Sequence, residues 1–394
     1  MTGLGTGHPF VLLGALALAC GGSSGGATVA ARPPAISDTL LPGMPPLAEP
    51  QDIYAAAGAG MLSPTVRSAL PRAYVPNGGA GTVSVIDLAT YGVVARFATG
   101  AVPQHVVPAY DLETLWVANE AGNTLTPLDP ATGRPGRALR VADPYNLYFT
   151  PDGRFALVVA ERQGRLDFRD PHTMALHDSV RVACRGVDHM EFTVDGRYAV
   201  ATCEFSGQLL KLDVASHRIM GYLTLPADSF GHAMPQDIRS SPDGAVFYVA
   251  DLTADGVHLL DPRTFRLVGF IPTGRGAHGL YPSRDGRLLY VANRGWHTAW
   301  GGAHGPGSVS VIDFATRAVV ARWSVPGGGS PDMGNVSVDG KELWLSGRFD
   351  AEVYVFNTET GVLTHRIKVE RGPHGLTVWP QPGRYSLGHT GNMR

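Results

Sequence analysis

The chain has 394 residues, 32 of them basic and 34 acidic, for a formal net charge of −2. The charges are scattered singly, so there is no basic stripe of the kind that general nucleic-acid binding requires. After the N-terminal apolar run, no stretch is long and apolar enough to cross a membrane as a helix.

That first run, Phe10–Ala19, ends at Cys20 and a GGSSGG tract. It is too short to span a bilayer but suits the core of an export signal. Ala17, Leu18 and Ala19 before Cys20 resemble a bacterial lipoprotein cleavage box, which implies lipidation of Cys20 and a membrane contact through that anchor alone. No Lys or Arg precedes the run, and the leucine sits one position nearer the cysteine than in the usual box. A plain secretory signal is therefore the alternative. Residues 21–72 are rich in Gly, Pro, Ala and Ser and are expected to form an extended tether, with Ile53–Leu70 as a short packing segment within it.

From residue 73 the chain repeats. In the copy at Gly274–Asn293 a short apolar strand, a tight SRDG turn and a second strand follow one another. A third strand, SVSVID at Ser308–Asp313, and a fourth, at Val319–Trp323, complete the unit. Short apolar runs bounded by Gly, Pro and Asp predict strands. Units of four antiparallel strands at intervals of about 42 residues predict propeller blades.

Third strands end at Asp87, Asp129, Asp170, Asp213, Asp261, Asp313 and Asn357, which makes seven blades. The N-terminal outer strands lack a first strand, and the C-terminal first strand lacks outer ones. The two halves are expected to pair and close the ring, removing the open sheet edges. Tyr74 and Tyr385 both compete for the second strand of that blade.

These repeats, with Tyr290-Val-Ala-Asn, Val309-Ser-Val-Ile-Asp, Ser241-Pro-Asp-Gly and Gly372-Pro-His-Gly, resemble the YVTN-repeat, YncE-like seven-bladed β-propellers over residues 73–394. The family also resembles the haem-binding propeller of periplasmic nitrite reductases. The resemblance implies an all-β fold and an exported protein, periplasmic, cell-surface or secreted; it implies no reaction, because propellers host many functions.

Blade geometry sorts the loops. First-to-second and third-to-fourth turns share one face; second-to-third loops and inter-blade links share the other. The longer segments, residues 227–237 with His232 and residues 294–307 with Trp296 and Trp300, fall on the second face. First strands line the channel, so their opening residues are expected to ring its mouth: His105, Asn146, His189, Asp237, His278, Asp332 and His374.

The spacing is uneven. His278 and Asp332 precede the hairpin aspartate by seven residues, but His105, Asn146, His189 and Asp237 precede theirs by six. One residue reverses a strand's faces, so part of the ring is open to an alternative role of bonding the turn backbone.

The ring supports a ligand site for a small molecule, a metal or a protein. A transition metal would use His189, His278 or His232, and a haem would take an axial imidazole from His189 or His278. A cation-dependent lactonase would need Asn146, Glu161, Asp237 and Asp332 to converge. No CxxCH or HExxH pattern, GxSxG nucleophile elbow or P-loop is present. The expectation is a monomeric, exported binding scaffold, with a cofactor-using oxidoreductase or electron carrier as the alternative. Cys184 and Cys203 lie at neighbouring blades on the same face and are expected to form a disulfide.

Overall fold

The computed structural model describes residues 40–227, 233–297 and 305–394. Seven antiparallel sheets, each the blade of a propeller, follow one another around a central channel. The inner strands are Pro103–Pro108, Asn146–Phe149, Val187–Phe192, Pro235–Ser240, Ala277–Pro282, Pro331–Val336 and, closing the ring, Thr377–Trp379. Thr377–Trp379 pairs with Arg72–Asn77, so a C-terminal strand completes a sheet whose other three strands are N-terminal. Tyr74 takes the second-strand position, opposite Thr377. Tyr385 lies beyond the sheet.

The sequence pattern follows the layers. Second strands such as Phe247–Asp251 are buried along their whole length because neighbouring blades cover both faces. Fourth strands face solvent on one side, and Arg218–Thr224 alternates exposed and half-buried residues. In the second blade the fourth strand is broken into Arg134–Pro135 and Leu139–Arg140, where Pro135 has no N–H to continue the ladder. Five inner strands carry a register shift near their start, at Pro103/His105, Val187/Met190, Pro235/Ile238, Ala277/Leu280 and Pro331/Gly334. These bulges decide which side chains enter the channel.

The expected tether is in part a strap. From Leu41 onward the chain runs across the tight-hairpin face: Leu41 N–H donates to Asp195 O (2.7 Å), Ile53 to Pro242 O (2.8 Å) and Gly60 to Val338 O (2.9 Å). Leu41, Ile53, Ala57 and Val66 are buried against the blades. Packing therefore begins well before Ile53, because Leu41 and Ile53 supply apolar anchors that composition averages hide.

After the closing strand, residues 380–394 turn back into the channel from that same face. His389 N–H donates to Leu147 O (2.8 Å) and Phe149 N–H to Leu387 O (3.0 Å). A buried ionic network fixes the plug: Arg394 Nη2 reaches Glu191 Oε1 (2.9 Å), and Asn392 Nδ2 reaches both Glu191 oxygens (3.0 and 3.1 Å). Strap and plug also meet, through Gly383 N–H to Met61 O (3.0 Å).

Candidate functional site

All seven ring residues named from the sequence are buried in the channel wall. They do not form one ring at an open mouth, as expected, but two tiers. Where a bulge presents its first residue, as at His278, that side chain reaches the mouth. Where it presents its second, as at His105 and His189, the side chain lies deeper. The uneven spacing of six and seven residues in the sequence is this difference in depth.

The upper tier is a narrow funnel with a cavity of about 20 Å³, lined in part by Gln104, Tyr145, Gln236, His278 and His374. Its charges are split. Arg294 and Arg348 stand on the side of the sixth and seventh blades; Glu161 and Glu204 come from the third and fourth.

Arg294 is organised tightly. Its Nε donates to Asp332 Oδ1 (2.6 Å) and its Nη2 to His278 Nε2 (2.6 Å), while Nη1 is buried with no partner among the described residues. Asp332 also binds His374 Nδ1 (2.6 Å). Burial pushes the Asp332 carboxyl up, but the charges of Arg294, His278 and Arg348 together outweigh it, and the net shift is downward. Burial, reinforced by Arg294, holds His278 well below the usual imidazole range.

The acidic side is less compensated. Burial, then the charges of Glu120 and Glu204, pushes Glu161 up to about 8. Burial also raises Glu204, and raises Asp188 far above the carboxylate range with Glu204 adding to it. Glu120 has partners in Gln104 Nε2 (2.7 Å) and Arg162 Nε (3.1 Å). At neutral pH Glu161 is therefore mostly a neutral acid facing a half-polar funnel.

The lower tier holds His105, His189 and His389, whose candidate ligand atoms lie within 4.8 Å of one another. Their ring centroids are 4.8–5.6 Å apart. Burial is the largest cause holding each neutral; His105 is brought down to about 4. Asn146 lies between two of them, its Nδ2 2.9 Å from His389 Nδ1 and 3.2 Å from His189 Nδ1. Asp237 is committed to Arg239 (3.0 Å) and to the Leu280 N–H (2.9 Å).

Several sequence-based assignments change here. Of the three histidines proposed for a metal, only His189 joins the triad; His278 Nε2 accepts from Arg294, and His232 lies outside the described residues. Neither His189 nor His278 suits a haem iron. The first is enclosed by the His105 and His389 rings, and the second is already an acceptor. The lactonase set does not converge, since Asp237 and Asp332 each pair with an arginine.

The Trp296 indole packs against Gly305 of its own loop and does not line the funnel; Trp300 lies outside the described residues. Cys184 and Cys203 form a disulfide with Cα atoms 5.9 Å apart. Cys20 falls outside the described residues. His389 was missed because it belongs to no repeat; its only signal is the Gly-His-Thr-Gly run at 388–391, which echoes Gly372-Pro-His-Gly.

Comparisons agree with the geometry. No curated protein matches the sequence. Solved structures share the fold at low identity. A protein of unknown function from Desulfotomaculum acetoxidans DSM 771 aligns with TM-score 0.63 and 15% identity, over 77% of this chain and 98% of that one. Kuenenia stuttgartiensis hydrazine synthase aligns with TM-score 0.57 and 18% identity, over 69% and 88%. The dihydro-haem d1 dehydrogenase NirN, solved in complex with DHE, aligns with TM-score 0.57 and 16% identity, over 80% and 77%. The family model for the YNCE-like beta-propeller matches residues 40–382, strap included, and the chain belongs to that family.

Proposed function

We propose that this is an exported, monomeric binding propeller whose funnel captures a small charge-separated molecule bearing an amine and a carboxylate. The observation that carries the reading is the charge split: a buried, unpartnered Arg294 Nη1 on one side and the under-compensated Glu161 and Glu204 on the other. A buried guanidinium nitrogen without a partner is costly and accepts an anion readily. An amine next to Glu161 would let that carboxyl ionise. The signal-like segment ending at Cys20 supports export and a lipid anchor. Binding, not catalysis, is favoured because Arg294, Asp332, His278 and His374 bond one another, leaving none poised as a free base.

The test is calorimetric titration with glycine, β-alanine and γ-aminobutyrate, whose charge separations differ, and with betaine, which keeps the separation of glycine but carries no N–H. One should bind, and Arg294→Gln should weaken it tenfold or more. Failure of all four with a folded protein, or binding indifferent to Arg294→Gln, rejects the reading.

A further inference from the structure

The geometry points to a second site, below the funnel: a transition-metal centre for one zinc or copper ion, ligated by the Nε2 atoms of His105, His189 and His389. Three observations carry it. The three imidazoles bring ligand atoms within 4.8 Å of one another from three separate stretches of chain. All three are fully buried, and among the described residues the Nε2 of each has no hydrogen-bond partner, that of His389 standing 3.7 Å from Asp237 Oδ2. Three orphaned imidazole nitrogens on one spot are costly unless a shared partner satisfies them. Neutral imidazole is the donor that zinc and copper favour.

The surroundings act as an outer shell. His105 Nδ1 lies 2.9 Å from Tyr145 O, a bond that fixes the proton on Nδ1 and turns the Nε2 lone pair inward. His189 and His389 both present Nδ1 to the side-chain amide of Asn146. Asn146 Oδ1 here accepts the Leu147 N–H (2.8 Å), so loading requires the amide to turn over and give up that bond; with its carbonyl oxygen toward them, both rings carry their proton on Nδ1 and free Nε2 for the ion. That tautomer shift releases no net proton. Nitrogen–metal bonds of about 2.0 Å in a tetrahedral site place the nitrogens about 3.3 Å apart, so the rings close inward by an ångström or so on loading.

His389 is held for this task. Its backbone has φ 55°, a left-handed conformation that costs energy for a non-glycine residue, and the hydrogen bond to Leu147 O keeps it there. The plug of residues 380–394 thus does more than close the channel: it delivers the third ligand.

The test uses the full, untagged chain, stripped with chelator and titrated with Zn²⁺ against a chromophoric competitor. One ion per chain is expected. His105→Ala and His389→Ala should each weaken binding at least 100-fold, while His172→Ala, at an exposed histidine, leaves it unchanged. Asn146→Asp, which gives both Nδ1–H groups a charged acceptor, should tighten binding. X-ray absorption on the unmutated zinc-loaded chain should show three imidazole nitrogens, and this keeps the test decisive where a variant misfolds. No binding by the folded chain, oxygen-only coordination, or binding indifferent to His105 and His389 overturns the proposal. The titration contains no amine or carboxylate ligand, so its outcome is independent of the funnel.

Discussion

Replacing Arg394 by alanine removes the cation that neutralises Glu191 inside the plug. Glu191 is fully buried, and Arg394 is 5% exposed. The guanidinium gives Nη2 to Glu191 Oε1 at 2.9 Å and Nη1 to Asn392 Oδ1 at 2.5 Å. Breaking a buried pair by deleting one partner costs about 3–5 kcal/mol, because the other charge is left uncompensated. Unfolding entropy of about 2 cal/mol/K per residue, over roughly 350 packed residues, turns that into a Tm drop of about 4–7 °C. Scanning calorimetry on Arg394→Ala and on the exposed-site control Arg137→Ala measures it. The pair Glu191→Gln with Arg394→Ala should recover part of the loss, since no charge remains stranded. A Tm for Arg394→Ala equal to that of the control would refute the ionic plug.

Other outcomes follow from the same contacts. With Glu161 pushed up to about 8, an amine bound in the funnel should expel its proton near pH 7. Affinity should then rise from pH 6 to about 8 and flatten above it, and titrations in buffers of different ionisation heat should show proton release that Glu161→Gln abolishes. In the unliganded chain a raised carboxyl pKa means stability is greatest below the ordinary 4.5 and falls as pH rises toward about 8. Glu161→Gln should flatten that decline in urea unfolding. Cys184 and Cys203, 19 residues apart, close a loop worth about 3 kcal/mol in the chain-entropy treatment, so Cys203→Ser should lower the urea midpoint to that of the reduced chain. At Gly375 an added Cβ would sit 2.1 Å from His105 Cδ2. Gly375→Ala should therefore displace the His105 ring and weaken zinc binding, with a smaller loss than His105→Ala.

The blades were legible because each strand is short, apolar and closed by a turn residue that can be read locally. Asp87, for example, accepts the backbone N–H of Ala89 (3.0 Å) and Thr90 (2.9 Å), the turn its position predicts. Ring closure was legible from missing strands alone. The site was legible only in part: spacing of six against seven residues sets His105 apart from His278, but only the bulge that both strands share turns that offset into a difference in depth. No local pattern announces a bulge there. Strap and plug were the hardest to read, because neither repeats: Leu41 and His389 matter through contacts with distant hairpins and inner strands. The asparagines that end the repeats serve the frame; Asn119 Oδ1 accepts from Thr99 Oγ1 (2.9 Å) and the Gly100 N–H (3.0 Å) across the inter-blade link.

A crystal structure of the chain soaked with the tightest of the four charge-separated ligands tests the central claim most directly. The account predicts density in the funnel, the carboxylate on Arg294 Nη1 and the amine toward Glu161 and Glu204. Ligand found only elsewhere, for instance in the outer groove beside Lys211 and Asp261, or a funnel left without ligand at saturating concentration, would contradict it.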